Sequence, residues 1–356
     1  MILSDSRTME WINHVASIYP TLDKTLIEKT IRAFSLLESL VRSGCPFTFK
    51  GGTACMLHLN SSKRLSIDID IICPPGTDIS QYLEKCSADY GFTNIELVER
   101  MSAHNVPKSH AKYFYKVSYV TNKDTGSILL DVLYEDIHYG KIEKLPIQSP
   151  FLKTAGEPAM VNIPSASDIL GDKLTALAPH TTGVPFFKKE RDCSLEIIKQ
   201  MFDIASLFDI VTDFEQTIST YKKFAVVELG YRNLPDTNID DVLDDTISTC
   251  LCIALRGVEN PDEFSLLQNG IKKISSMLLS KRYRLEEAIL DAAKAAYVAS
   301  IVKYGVTDIK RYSDTTANDL KAVVMKRLNS KLNKLKKTNT EAFFYWSLVD
   351  EMIANQ

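Results

Sequence analysis

Lys50-Gly51-Gly52-Thr53-Ala54-Cys55-Met56-Leu57-His58, followed by Arg64-Leu65-Ser66-Ile67-Asp68-Ile69-Asp70-Ile71, decides how this chain is read. Leu65 to Cys73 alternates as a strand that Pro74-Pro75-Gly76 ends. Strand side chains alternate between faces, so Asp68 and Asp70 share one face while Ile67, Ile69 and Ile71 share the other. The isoleucines require a core. The two carboxylates are close like charges, costly without a counter-ion. A hard divalent cation bound through oxygens supplies that compensation. Upstream, Gly51-Gly52 precedes a short helix expected over Thr53 to Asn60. Glycines there let the backbone approach a ligand, and N–H groups at a helix start favour phosphate. The Thr53 hydroxyl adds a donor or caps the helix. A lone Gly-Gly-Thr is only a turn; a following strand bearing Asp-x-Asp makes it specific.

Working outward, Phe47-Thr48-Phe49 suits a strand, and Arg7 to Ser43 reads as helical until Gly44 and Pro46 close it. Ile79 to Asp89 also reads as helical. Strand-like runs cover Ile95 to Met101, Tyr113 to Val120, Ile128 to Tyr134 and Met160 to Ile163. Asp131 stands inside the third of these runs, where an aspartate is expensive unless paired or metal-bound. It is the candidate third carboxylate for a two-metal site. From Ser165 strand signals fade, and Ser165 with Asp168 reads as a capping box. Helices are expected over Asp168–Ala178, Cys193–Phe208, Ile239–Leu255, Tyr283–Tyr304, Leu320–Leu335 and Glu341–Ile353. The fold class is therefore α+β: N-terminal helices over 1–44, a mixed-sheet α/β domain over 45–164, and an all-α domain over 165–356.

Composition bounds the rest. Of 356 residues, 45% are hydrophobic and 24% charged, which excludes fibrous and mainly disordered classes. Lys plus Arg number 42 against 45 Asp plus Glu, a net charge of −3, so a uniformly basic coat is excluded. No apolar run reaches the ~18 residues of a membrane helix, and Met1-Ile2-Leu3-Ser4-Asp5 does not read as a signal peptide. The seven cysteines are scattered, as expected of free thiols in a cytoplasmic protein. Two charge features stand apart: an acidic cluster at Asp236, Asp240, Asp241, Asp244 and Asp245, and a basic stretch from Lys321 to Lys337. The latter reads either as the solvated face of an amphipathic helix or as a phosphate-contacting surface.

The Lys50-Gly51-Gly52-Thr53 and Arg64-x-Ser66-x-Asp68-Ile69-Asp70 motifs resemble the nucleotidyltransferase fold of the DNA polymerase β superfamily, and more closely the AbiEii/AbiGii toxin family. The resemblance continues through Gly171-Asp172-Lys173-Leu174-Thr175-Ala176-Leu177 and Lys199-Gln200-Met201-Phe202-Asp203-Ile204, covering roughly residues 45 to 210. It departs at Gln200, where the family commonly carries Asp. What the resemblance implies is transfer of a nucleoside monophosphate from an NTP to an acceptor hydroxyl. Asp68, Asp70 and Asp131 would hold two Mg²⁺ ions, or Mn²⁺, with Asp131 also serving as general base. Gly51, Gly52, Thr53, Arg64 and Ser66 would bind phosphates, and Lys173 would stabilise building charge. The resemblance raises Lys199 and Asp203 to nucleotide-binding residues, although their i, i+4 spacing also suits a surface pair, and Lys173 also suits a snorkelling lysine. The implied partners are the NTP, the 3′ end of tRNA as acceptor and a cognate antitoxin in toxin–antitoxin or phage defence, with no membrane. A small-molecule acceptor resembling an aminoglycoside, a protein acceptor, or an inactive nucleotide- or RNA-binding scaffold stay open. The acidic cluster would favour a cationic small molecule.

Overall fold

A computed structural model describes residues 1–60, 63–83, 85, 90–98, 108–116, 124–279, 283–313 and 320–355. The chain divides into two compact units, Met1–Ser165 with Ser276–Lys281, and Ala166–Ser275 with Arg282–Gln356.

In the first unit the expected N-terminal helix is two helices, α1 (Met9–Ile18) and α2 (Lys24–Arg42). Pro20 follows the break at Tyr19, since proline lacks the N–H and crowds the preceding turn. Asp23 then restarts the chain as an N-cap, accepting from the Thr25 N–H. Ile27, Ile31, Phe34, Leu37 and Leu40 of α2 are buried, and α2 packs on the sheet. That sheet has five strands among the described residues: β1 (Thr48–Lys50), β2 (Ile69–Cys73), β3 (Phe92–Val98), β4 (Lys108–Lys116) and β5 (Thr125–Tyr134). Their order is β1-β2-β5-β4-β3. Only β2 and β5 pair in parallel; the other neighbours are antiparallel. The mixed sheet matches the expected class. Helix α3 (Gly51–His58) links β1 to β2, and α4 (Ser80–Leu83) follows β2. A separate ladder joins β6 (Ile142–Pro146) to β7 (Met160–Pro164). Strand β6 was not foreseen: its Glu143, Lys144 and terminal Pro146 carry no apolar alternation.

One boundary differs from expectation. The strand expected from Leu65 begins at Ile69, because Arg64 and Leu65 pair instead with the segment around Met277 and Leu278. Of the helix expected over Ile79 to Asp89, Ser80–Leu83 is present, while residues 84 and 86–89, Cys86 among them, lie outside the described residues. The far ends of two expected strands, 99–101 and 117–120, also lie outside them.

The second unit is helical apart from a hairpin of β8 (Phe187–Lys188) and β9 (Arg191–Asp192). Its helices are α5 (Ala166–Ala176), α6 (Ser194–Phe208), α7 (Phe214–Arg232), α8 (Ile239–Ala254), α9 (Pro261–Ile274), α10 (Leu285–Tyr304), α11 (Leu335–Thr338) and α12 (Thr340–Ala354). Ala292, Ala293, Ala295, Ala296, Val298 and Ala299 make α10 apolar on every side, so it runs buried against α6, α8 and α12. Helix α7 escaped the sequence reading because buried Thr217 and Thr220 and exposed Val226 blur its stripe. The expected helix over Leu320–Leu335 is corrected. Residues 320–329 form no helix; a 3₁₀ turn at Ser330–Lys334 follows, then α11. The backbone there is claimed by side chains: the Asp350 carboxylate accepts the N–H groups of Lys326, Arg327 and Leu328 at 2.9, 2.7 and 2.6 Å.

Candidate active site

The first cluster forms where β1 runs into α3. Gly51 takes φ +79°, a left-handed conformation that favours glycine. Lys50 pairs with Asp70 across β1 and β2, and Asp70 lies level with Asp131 across the parallel β2–β5 pair. Residues level in a parallel pair point to the same face, so both aspartates share it. On either side Ile69, Ile71, Leu130 and Val132 are buried at 2% exposure or less. The alternation expected of Asp70 therefore holds. Asp68 sits just ahead of β2 and is exposed.

Both glycines admit side chains that a Cβ would displace. A Cβ on Gly51 would stand 2.1 Å from Asp70 Oδ2, and one on Gly52 would stand 2.8 Å from Arg64 Nη2 and 2.9 Å from Ser66 Oγ. Arg64 is buried and its Nη1 donates to the Leu65 carbonyl at 2.9 Å. The expected loop residues Gly51, Gly52, Arg64 and Ser66 are thus gathered around one turn. Thr53 needs correction as a phosphate donor. Its side chain is fully buried and its hydroxyl donates to the Asp68 carbonyl at 2.6 Å, so it ties α3 to the entry of β2. At the other end of α3, His58 Nε2 donates to the Pro164 carbonyl at 2.8 Å. Burial holds its pKa below the ordinary histidine value, against the opposing pull of that carbonyl and of Glu143.

Among the described residues no three His, Cys, Asp or Glu side chains are gathered as a metal cluster. Asp70 and Asp131 nonetheless offer two hard oxygen donors from adjacent strands on one face, and Gly51 leaves room for the Asp70 group.

The second unit holds the second cluster. Lys173 Nζ lies 2.8 Å from Asp203 Oδ2 and donates to Gln200 Oε1 at 2.8 Å. The side chains of Lys173 and Asp203 are only 8% and 2% exposed, so this is a buried ion pair across α5 and α6. Asp203 is thus the partner of Lys173, and Gln200, where the sequence departs from the family pattern, adds a neutral acceptor. Lys199, one turn before Asp203 on α6, is half-buried. Gly171 of the same motif lets α5 cross α7 closely: a Cβ there would stand 2.6 Å from the Thr217 carbonyl. Asp168 is buried and its carboxylate accepts from Thr220 Oγ1 at 2.6 Å and Gln216 Nε2 at 2.8 Å.

Other polar features serve the scaffold. Asp192 accepts from Ser194, Asn269 and Lys273; burial opposes its charge, but these donors hold its carboxyl well below the usual range. In the acidic cluster, Asp241 completes the α8 capping box, Asp244 pairs with Lys303, and Asp245 accepts from His180 and Thr181. Those contacts account for three of the five carboxylates. His180 Nε2 also lies 3.2 Å from Glu263 Oε1.

No helix of the described residues is long and apolar enough to cross a membrane. The chain is similar to two solved Helicobacter pylori structures. One is JHP933, at 14% identity, covering 85% of this chain and 98% of that one with a TM-score of 0.45. The other is described as a "putative nucleotidyltransferase", at 15% identity, covering 80% and 99% with a TM-score of 0.45. No curated protein matches the chain. The family model for the nucleotidyl transferase AbiEii toxin of type IV toxin–antitoxin systems matches residues 35–299, so this nucleotidyltransferase belongs to the AbiEii family.

Proposed function

We propose that this nucleotidyltransferase moves a nucleoside monophosphate from an NTP to an acceptor hydroxyl, the 3′ end of a tRNA, and so acts as the toxin of a pair with a cognate antitoxin, in phage defence among other settings. The observation that carries the reading is the level pairing of Asp70 and Asp131 on β2 and β5 beside the left-handed Gly51 turn. The backbone N–H groups at Gly51 and Gly52, with Ser66 and Arg64, bind the triphosphate oxygens. Asp68, Asp70 and Asp131 would hold Mg²⁺, or Mn²⁺ in its place, which would neutralise the phosphates and acidify the attacking hydroxyl. Asp131 takes the proton of that hydroxyl. Lys173, oriented by Asp203 and Gln200, stabilises charge on the transferred and leaving groups, and Lys199 joins it at the nucleotide. A cytoplasmic setting supplies both NTP and tRNA.

The test is incubation of the protein with each α-³²P-labelled NTP, Mg²⁺ and total tRNA, followed by a denaturing gel, with Asp68→Ala as control. Label on tRNA that requires Asp68 supports the reading and names the base. Pyrophosphate released only when amino-sugars or protein are added would transfer the reading to those acceptors. No product and no pyrophosphate under any condition would leave a binding scaffold.

A further inference from the structure

The segment 320–340 is set apart by charge. Seven of the 42 lysines and arginines and none of the 45 aspartates and glutamates fall in it, so the remaining chain carries a formal net charge of −10. Lys321, Lys326, Arg327, Lys331, Lys334 and Lys337 are exposed. Among the described residues, none of their side chains enters an ion pair. Elsewhere in the same unit some cations are paired: Lys294 with Asp209 and Glu341, Lys303 with Asp244, Lys273 with Asp192.

The backbone beneath these cations is fixed, although residues 320–329 form no helix. Asp350 holds three consecutive N–H groups, and Asn333 accepts from the Met325 N–H at 3.0 Å. The Lys336 ammonium donates to the Lys321 and Val323 carbonyls and lies 5.2 Å from the Phe343 ring centre. Leu332 and Leu335 are buried as anchors. One basic residue is thus consumed in holding the segment while six present their charge outward. A fixed backbone lowers the entropy lost when the cations meet a ligand.

We propose that segment 320–340 is the docking surface for the phosphodiester backbone of the RNA acceptor. The inference rests on the acceptor reading above and assigns it a surface. Phosphate contacts are made by lysine and arginine, and each neutralised phosphate releases condensed counterions. The core of a protein–protein interface is instead depleted in lysine and built around aromatic and other apolar anchors. Here the large apolar side chain presented among the cations is Val324, at 59% exposure, and residues 320–340 contain no aromatic.

The experiment compares the full-length protein with Lys326→Gln/Lys331→Gln/Lys334→Gln and with a control that loses the same charge elsewhere, Lys222→Gln/Lys223→Gln/Lys272→Gln. The control residues are also exposed. Binding to a fluorescently labelled tRNA pool is followed by anisotropy across about 50–200 mM salt, alongside labelling of that RNA from α-³²P NTP. Three lost phosphate contacts lower the slope of log K against log salt by about 2. The test variant is expected to show that drop, at least tenfold weaker binding at ~100 mM salt, and a raised KM for RNA with kcat and NTP affinity unchanged. The control variant stays near wild type. If the test variant binds and labels RNA as the control does, the surface assignment is overturned while the acceptor reading stands. If the wild type neither binds nor labels RNA, both are overturned together. Loss of antitoxin capture by the test variant with RNA binding intact would assign the surface to a protein and overturn the inference.

Discussion

Gly51 is packed against the carboxylate of Asp70, so closely that a Cβ on Gly51 would stand 2.1 Å from Asp70 Oδ2. Gly51 also has φ +79°. Gly44 shares the second property without the first: its φ is +78° and nothing lies within 4 Å of its Cβ position. The two glycines therefore separate backbone strain from displacement of the aspartate. Gly44→Ala is expected to cost about 1–2 kcal/mol and leave activity intact. Gly51→Ala is expected to pay a similar strain and to lose at least a hundredfold in kcat. Thermal unfolding and NMP-transfer rates on both variants check this, and equal activity loss in the two would remove Asp70 from the explanation.

Asp131→Asn keeps the shape of the side chain and removes one of two like charges that lie level on neighbouring strands. The variant is expected to fold as well as wild type or slightly better when no metal is added, since close like charges oppose each other. Its transfer rate should fall by about three orders of magnitude, the scale of losing a general base together with a metal ligand. The wild-type gain in Tm on adding Mg²⁺ and NTP should shrink in the variant. A variant that keeps both that gain and its rate would leave Asp131 outside the site.

Lys173 and Asp203 are a buried pair, at 8% and 2% side-chain exposure. Removing one partner strands a charge, at a cost of about 3–5 kcal/mol. Lys173→Met or Asp203→Leu alone should therefore destabilise the helical unit by that order. Lys173→Met/Asp203→Leu should recover much of the loss, because a packed apolar pair needs no compensating charge. Denaturant unfolding of the two singles and the double gives the coupling directly. All three variants should be inactive, so stability and activity part company in the double, which a purely structural pair would not do.

What the sequence revealed and what it hid follow from the range of the interactions. The Gly51-Gly52 turn, the buried isoleucines around Asp70 and the mixed sheet were legible because turn chemistry and period-two alternation are local. Thr53 was misjudged because its hydroxyl partner, the Asp68 carbonyl, lies 15 residues away. The Lys321–Lys337 stretch was read as a helix because Leu328, Leu332 and Leu335 have helical spacing. The Asp350 carboxylate that claims its amides belongs to a helix more than 20 residues on. Gln200 looked like a missing charge until α5 brought Lys173 to it across 27 residues of sequence.

His58 gives the first unit a pH dependence of known sign. Burial lowers its folded pKa below the ordinary histidine value, and the Pro164 carbonyl and Glu143 only partly offset this. As pH falls through the unfolded value, the unfolded chain takes up a proton that the folded chain resists, so stability falls with pH. The contribution is fully present above the unfolded pKa and is lost below it. His58→Gln can still donate to the Pro164 carbonyl and cannot ionise. Between about pH 8 and about pH 5.5 the wild-type Tm should therefore drop more than the variant's. Equal drops would mean that other groups carry the effect.

Asp350, 8% exposed, accepts N–H groups from Lys326, Arg327 and Leu328, and no other side chain is seen to hold these three amides. Asp350→Asn keeps an acceptor oxygen but brings an N–H₂ group against amides that are themselves donors, so at least one of the three loses its partner. Hydrogen bonds to charged groups are worth about 1.5–3 kcal/mol each. Because residues 320–329 have no helix of their own to fall back on, the loss should be local. Amide exchange at 326–328 is expected to accelerate by one to two orders of magnitude, roughly the exchange equivalent of that energy, while α10 amides keep their protection. If the segment is an RNA surface, its affinity for the labelled tRNA pool should weaken with its order, although no lysine or arginine has been changed. Faster exchange with undiminished RNA binding would show that the cations need no fixed backbone. Unchanged exchange would show that other contacts hold the segment.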